Sequence, residues 1–580
     1  MAAPIEARNS KREDPNSSGG PEFRVSNLDS RTPEFGDPTP NAVGRGAVVS
    51  HEGCVVHLEA KSAPRLMWSG EDLLSVKFPA GTREMYPNPT IPGLRDRQAA
   101  IRYALAHPEE MEPLEALLRP RMKITIAIDD ISLPLPKMKR PDLRESVLTI
   151  LLELLARKGV EDVHIVVATS FHRRMSEGEL RRAVGGRIFS AYYPDRLYHH
   201  DGEKPDGMVE LGVTAHGERV RLNRRAAESD LLIYVNINLV PMDGGSKSVG
   251  VGLCDYPTLQ AHHNPQTILD SDSYFDHTRS AMNRSCDRIG QIVNQKLKVF
   301  HVETAVNNAM FDPKMAFFTK NEDYYSSLDK AMFAVTRRGL GALSRPLKRK
   351  VLFGIPACYE PIAVHAGATL PVHDKTLAYC YAQYCCPMEG QSDVVVYGVP
   401  FVSPYNVNSI LNPLLVQVMA LGYFHNMYRG MPVVKKNGVL IITHPLYDEF
   451  DPLHHPSYIE FFHSILPETR DSFELQQKYE GRFAQDPDYI RMYRTGNAYH
   501  GVHPFYMWYW GENGRAHVGK VICVGAESKR AAQIMGWETA TSMNEALEMA
   551  QSHVGHRPSV TLMHFAPILM ADMKGVPQSV

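Results

Sequence analysis

Past the first fifty residues, short and almost wholly apolar runs alternate with longer stretches in which apolar residues recur every three or four positions. The first pattern predicts buried strands and the second predicts helices with one buried face. Lys123-Ile124-Thr125-Ile126-Ala127-Ile128 predicts a strand ending at Asp129-Asp130. From Arg144 to Lys158, apolar residues at Val147, Ile150, Leu151, Leu154 and Leu155 predict a helix with one buried stripe, and Gly159 caps it. Val163 to Ala168 predicts the next strand, ending at Thr169-Ser170-Phe171-His172, and Ser176 with Glu179 has capping-box spacing. Asp230-Leu231-Leu232-Ile233-Tyr234-Val235 predicts another buried strand, followed by Gly244-Gly245-Ser246-Lys247-Ser248 and a helix.

A second section repeats the theme. Asp393 to Tyr397 and Gly438 to Thr443 predict strands with a helix, Ile410 to Tyr423, between them. Lys520 to Val524 predicts a strand, and Lys529 to Met535 and Met543 to Gln551 predict helices, the last stopped by Gly555. The pattern between 265 and 390 is mixed. The succession implies an α/β fold of two α/β domains with mainly parallel sheets and a site in the cleft between them. The expected division is a disordered tail over 1–50, rich in Ser, Pro, Gly, Asn and Arg, then domains over 51–310 and 311–570. Ligands of such sheets gather beyond the carboxyl ends of strands. Asp129-Asp130, His172 and the Lys247 loop each follow a strand in that way.

Composition narrows the function classes. With 580 residues, 43% hydrophobic and 22% charged, the chain reads as globular and larger than one core. A formal net charge of -2 argues against nucleic acid as a partner. No apolar run approaches the roughly 20 residues of a membrane helix, and Met1 to Ser10 has no apolar h-region. The expected location is cytoplasmic. The eight cysteines include no CxxC, and Cys385-Cys386 is adjacent, which predicts reduced, buried thiols rather than a zinc site.

Lys247 sits where a phosphate-binding lysine would, but Ser246 stands where the P-loop requires glycine, and no glycine lies five residues earlier. A glycine-rich cradle for a phosphorylated cofactor and a plain structural turn both fit the pattern. His172, flanked by Arg173 and Arg174, is a candidate general acid/base or a surface histidine in a basic turn. Asp130 and Ser132 are candidates to bind a phosphate, metal or hydroxyl, or to cap the turn before Pro134. The pairs His199-His200, His262-His263 and His454-His455 offer one metal ligand each at most, with solvated histidine the default. The polar stretch His444 to His455 reads as a solvated loop, with a pocket wall as the alternative.

Taken in order, these stations resemble the lactate racemase family, the enzymes that use a nickel-pincer nucleotide. Its Asp-x-Thr-Arg-Pro turn resembles Asp130-Ile131-Ser132-Leu133-Pro134, and its Ala-Thr-Gly-x-His-Arg station resembles Ala168 to Arg173, with Glu179-Leu180 following. Asn-His-Asp resembles His199-His200-Asp201, Leu-Gly-x-Thr resembles Leu211 to Thr214, and Glu-Ser-Asp-Leu-Leu matches Glu228 to Leu232. Gly-Gly-Arg-Lys-Ser matches Gly244, Gly245, Ser246, Lys247 and Ser248, and the nickel-binding histidine falls on His263. Order and spacing agree from about 85 to 265 and more weakly to about 560.

The resemblance implies a covalent nickel-pincer nucleotide on Lys247, with His263 as the metal ligand in a square-planar site. It implies that Asp130, Ser132, His200, Gly244, Gly245, Ser246 and Ser248 hold the cofactor and that His172 takes the hydroxyl proton of a small-molecule 2-hydroxy acid. Cofactor-biosynthesis proteins are implied partners, and a homo-oligomer is compatible. Three departures argue against simple lactate racemisation. Leu133 replaces the family's substrate-gripping arginine, Val240-Pro241-Met242-Asp243 lacks its second catalytic histidine, and Pro404 to Asn412 offers asparagines in place of Gln and Lys. The expected activity is racemisation or epimerisation of a larger 2-hydroxy acid, with a replacement acid/base from Asp243, His200 or the His444 to His455 stretch. The alternatives are one-base redox or epimerisation chemistry through His172 and a non-catalytic ligand-binding relative on the same scaffold.

Overall fold

The apolar runs pair, mostly in parallel, into two sheets. This computed structural model describes residues 53–574; the expected tail over 1–50 lies outside the described residues. A six-stranded sheet has the spatial order Pro361–Gly367, Val299–Val306, Leu231–Asn238, Lys123–Asp129, Asp162–Ala168 and Leu197–His199. All its pairings are parallel except that of Pro361–Gly367, which runs antiparallel at the edge. Its core strands are buried end to end, as parallel strands covered on both faces must be. The helix Leu143–Arg157 lays Val147, Leu148, Leu151, Leu154 and Leu155 against this sheet, with Asp142 as its N-cap. The capping box at Ser176 and Glu179 is formed.

A seven-stranded sheet runs in the order Val55–His57, Arg83–Met85, Val560–Met563, Ser392–Gly398, Val434–Thr443, Lys520–Val524 and Glu538–Ala540. Only the first pairing is antiparallel. The first and fourth strands of the described residues therefore join the sheet built from the last third of the chain. The mixed stretch resolves into the helix Ala281–Lys296, the strand Val299–Val306, the helices Ser327–Ala342 and Arg345–Gly354, the strand Pro361–Gly367 and the helix Thr369–Tyr384.

Two expectations shift. The helix expected from Ile410 starts at Pro413, because Asn412 caps it and proline fits the first turn; regular α-helix ends at Gln417 and wider π turns carry on to Tyr423. The histidine pairs expected in solvent are mostly buried: His200, His262, His263, His454 and His455 are all in the interior. So is much of the expected solvated loop, including His444, Leu446 and Tyr447. All eight cysteines are free, and all but Cys358 are buried.

Each sheet has one place where connections leave adjacent strands in opposite directions. In the six-stranded sheet it falls between Lys123–Asp129 and Leu231–Asn238. In the seven-stranded sheet it falls between Ser392–Gly398 and Val560–Met563. Diverging loops leave a crevice at such points, and a single chamber opens beyond all four of these strands.

Candidate active site

The turn after Lys123–Asp129 is held from below. Arg144, ion-paired to Asp142 at 2.9 Å, donates to the carbonyls of Asp129 at 3.0 Å and Asp130 at 2.5 Å. That fixes Asp130, whose Oδ1 accepts the backbone N–H of Ser132 at 2.9 Å and its hydroxyl at 2.5 Å. Its Oδ2 lies 2.7 Å from Nδ1 of His172. Burial pushes the Asp130 carboxyl up, but the charge of His172 and the hydrogen bonds from His172 and Ser132 outweigh it and hold the group below the usual carboxylate range. Asp130 is therefore the acceptor and Nδ1 of His172 the donor, so that Nε2 is the ring nitrogen turned away from the pair. Among the described residues, that Nε2 has no hydrogen-bond partner.

His172 follows the strand Asp162–Ala168 through a tight turn in which Ser170 takes a positive φ of 46° and the His172 N–H donates to Thr169 at 2.8 Å. Its ring stands edge-on to Tyr405, Tyr499 and His503, with centroid separations of 5.3, 6.0 and 5.4 Å. His503 opens the helix His503–Tyr509, and its Nδ1 lies 2.6 Å from the Tyr458 hydroxyl. Burial, then the charges of His172, His455, His263 and His500, hold His503 well below the usual histidine range, so its ring is neutral.

After Leu231–Asn238 the chain turns through Val240 to Gly244 and enters the helix Gly245–Gly252. Asp243 accepts the N–H groups of Leu239 and Val240 at 3.2 and 3.1 Å. Glu303 accepts the Gly245 N–H at 2.6 Å, with His373 3.2 Å away on its other oxygen. Gly244 and Gly245 have φ of +92° and +61°; a Cβ on Gly244 would lie 2.5 Å from Asn238, and one on Gly245 2.6 Å from His373. Glycine is required at both positions. Lys247 reaches the chamber with its Nζ donating to the Met242 carbonyl at 3.2 Å and no carboxylate paired to it. Burial raises the Asp243 carboxyl to about 6, opposed by the Lys247 charge. Asp129, accepting from Asn236 at 2.6 Å and Ile237 at 2.7 Å, is raised to about 7 by burial.

The chamber has a volume of about 720 Å³. Asp130, Ser132, His172, Gly244, Lys247 and Ser248 line it from the six-stranded sheet, and Pro400, Phe401, Tyr405 and Phe565 from the seven-stranded one. Gly245, Ser246, His200 and His263 are not in the lining. The Ser246 side chain sits against Gly290 of the helix Ala281–Lys296. His200 is buried with both ring nitrogens engaged, Nε2 by the Cys254 carbonyl at 2.7 Å and Nδ1 by Asn223 at 3.1 Å. His263 lies between His262, whose Nδ1 is 2.6 Å from its own, and the rings of Tyr506 and Trp510. Burial, then His262, Lys247 and His172, keep it well below the usual histidine range.

Of the expected replacement bases, Asp243 reaches the chamber, whereas His200 does not and His455 has its Nε2 on the Tyr405 carbonyl at 3.0 Å. The imidazole beside His172 is His503, which no spacing rule singles out. Its one signal is the dense aromatic and histidine run Tyr499-His500-Gly501-Val502-His503 before a helix.

The lactate racemase N-terminal domain matches residues 70–274. Lactate racemase from Lactiplantibacillus plantarum is 29% identical over 177 residues, 30% of this chain and 39% of that protein. Lactate racemase from Thermoanaerobacterium thermosaccharolyticum is 24% identical over 173 residues, 29% of this chain and 38% of that protein. The aligned segment thus spans less than two fifths of either relative. The solved structure of the lactate racemase apoprotein from the latter organism superposes with a TM-score of 0.56 at 16% identity, covering 88% of this chain and 100% of that one, which shows a shared fold. Over residues 70–274 the chain is thus similar to the N-terminal domain of lactate racemases, and it shares the lactate racemase fold.

Proposed function

We propose that the chain is a nickel-pincer nucleotide-dependent racemase or epimerase of a 2-hydroxy acid other than lactate. The observation that carries this reading is the Asp130–His172 pair facing the same chamber as an unpaired Lys247. Lys247 in the chamber and His263 outside its lining offer the two functional groups such a cofactor needs. Lys247 offers a chamber-facing amine without a carboxylate partner, and His263 offers a neutral imidazole, the form that ligates metals, with its Nε2 unpartnered among the described residues. Lys247 is the covalent anchor and His263 the nickel ligand in this reading, and the partners are the proteins that build and load the cofactor. When bound, the group supplies a hydride acceptor that returns the hydride to the same carbon.

The chain's own residues manage the proton. Asp130 fixes the tautomer and tilt of His172, so that Nε2 takes the hydroxyl proton as the carbinol carbon becomes planar and gives it back afterwards. His503, neutral and edge-on to His172 with ring centroids 5.4 Å apart and the Tyr458 hydroxyl on its Nδ1, packs behind His172 outside the chamber lining. Of the replacement bases expected, Asp243 lines the chamber and is the second proton carrier in this reading. The test is enantiopure 2-hydroxy acids and their esters incubated with cofactor-loaded protein in D2O. Inversion with protium retained at the carbinol carbon is expected; deuterium wash-in at that carbon would mean proton abstraction instead and would refute the reading.

A further inference from the structure

The chamber is built for carbon except at one end. Its polar groups, among them Asp130, Asp243, Asn236, His172 and Lys247, cluster where the strands of the six-stranded sheet end. The opposite walls are apolar: Met310, Phe318, Leu340, Met419, Phe424 and Ile568 represent them. At about 720 Å³ it sits in the upper half of the roughly 300–1,000 Å³ range of small-molecule sites. A nucleotide anchored on Lys247 would take up the polar end, and a three-carbon acid beside it would leave the apolar walls uncovered.

Charge is as selective as shape. Asp129, Asp130, Asp243 and Asp312 line the chamber, and among the described residues Lys247 is the only Lys or Arg that does. If Lys247 carries a covalent group, that cation is gone as well. The cations next to the lining are already engaged outside it, Arg144 by Asp142 and the carbonyls of Asp129 and Asp130, and Lys139 by Asp312 at 3.2 Å. A free carboxylate brought into the chamber would lose its water among other carboxylates and find no cation to replace it.

The mouth repeats the preference. Val351 and Ile355, on and just past the helix Arg345–Gly354, line the chamber while remaining 37% and 56% exposed. Apolar side chains that face both water and a ligand space are covered when an apolar ligand enters. The helix is tied down by Arg345 to Glu449 at 3.0 Å and by Arg349 to Glu71 at 2.7 Å.

We propose that the chamber takes an uncharged, largely apolar secondary alcohol, a hydroxyacyl ester or amide rather than a free hydroxy acid, with its carbinol end at His172 and its apolar body against the helix pair. This rests on the proposed chemistry for the identity of the reacting carbon, and deepens it by naming the substrate class. The test is equilibrium binding to the full-length protein, read by quenching of Trp68, which lines the chamber. The probes are methyl 2-hydroxydodecanoate, free 2-hydroxydodecanoate and lactate. The ester binds at least about tenfold tighter than the free acid and lactate gives no signal, the difference expected for one poorly compensated charge.

Thr336→Trp, at the mouth, weakens the ester about tenfold by filling the space without altering the fold seen by circular dichroism. Leu133→Arg, which places a cation in the lining, shifts preference toward the free acid. Free acid or lactate binding as tightly as the ester, or ester affinity untouched by Thr336→Trp, overturns the proposal. Ester binding without nickel or an adduct on Lys247 in loaded protein leaves this ligand class standing and removes the racemase reading. Inversion of short free acids by loaded protein does the reverse.

Discussion

In the proposed chemistry Asp130 and His172 divide acid/base work by environment: the carboxylate is buried, hydrogen-bonded and anionic, and the imidazole is partly exposed, with Nε2 unpartnered among the described residues. Asp130→Asn keeps the shape but removes the acceptor that fixes the His172 tautomer, so turnover falls by about 10²–10⁴ with little change in KM. A variant with unchanged kcat would contradict the role given to Asp130. Asp243→Asn removes the second proton carrier while keeping a polar side chain, and lowers kcat by about 10–100-fold. Equal rates in the variant and the parent protein would contradict the role given to Asp243.

A different residue governs stability against pH. His564 is buried with Nδ1 3.1 Å from Glu84 and Nε2 2.8 Å from the Phe318 carbonyl, so both nitrogens donate and the ring is a cation. Glu84 and Glu322, with His564, have a metal-ligand arrangement. Their donor atoms are already taken by Arg65, 2.9 Å from Glu84, and by the Tyr86 hydroxyl, so the cluster is an ion-pair staple. Burial pulls His564 down, but the hydrogen bond to Glu84 and the charges of Glu322 and Glu84 outweigh it and raise it to about 9. A pKa raised above the unfolded value stabilises fully below about 6.5, and the gain is lost as pH rises through about 9. The unfolding free energy of the parent protein therefore falls by on the order of 2–3 kcal/mol between pH 7 and 9.5, and the thermal midpoint falls with it. His564→Gln flattens that slope. An unchanged slope in the variant would contradict the staple.

Among the elements, the turn into Gly245–Gly252 carries the most constraint. Gly245→Ala must hold φ near +61° with a Cβ 2.6 Å from His373, so it costs about 1–3 kcal/mol in urea unfolding. A neutral substitution would mean the loop relaxes freely. Much of this architecture is legible in the chain. Lys520–Val524 and Lys529–Met535 form over the residues their patterns predict, because flanking Gly and Ser set their ends. Ser327–Ala342 is not legible, because only Leu340 of its apolar residues is buried, while Leu328 and Val335 face outward at the mouth side of the fold. Periodicity reports a helix's buried face, and this helix has almost none. The Asp130, His172 and Lys247 stations are legible because each follows a strand. His503 is not, because its importance comes from a ring 331 positions earlier in the chain, His172. The burial of His200 and His455 is equally non-local.

On the scale of the whole molecule, the chamber exists because two parallel sheets bring their diverging strand ends together. The strands Val55–His57 and Arg83–Met85 add to the sheet made by residues beyond 390, so segments far apart in sequence share the sheet that walls one side of the chamber. Neither pairing leaves a local mark in the sequence. A group bound in the chamber touches loops of both sheets, so loading it raises the unfolding midpoint as any ligand selective for the native state does. No helix among the described residues is long and apolar enough to cross a membrane. The most direct measurement is the intact mass and nickel content of full-length protein produced together with the cofactor-building enzymes, beside Lys247→Ala produced the same way. The account predicts bound nickel and an adduct mapped to Lys247 in the parent protein, with both lost in the variant. An unmodified Lys247 in nickel-free protein under those conditions would contradict it.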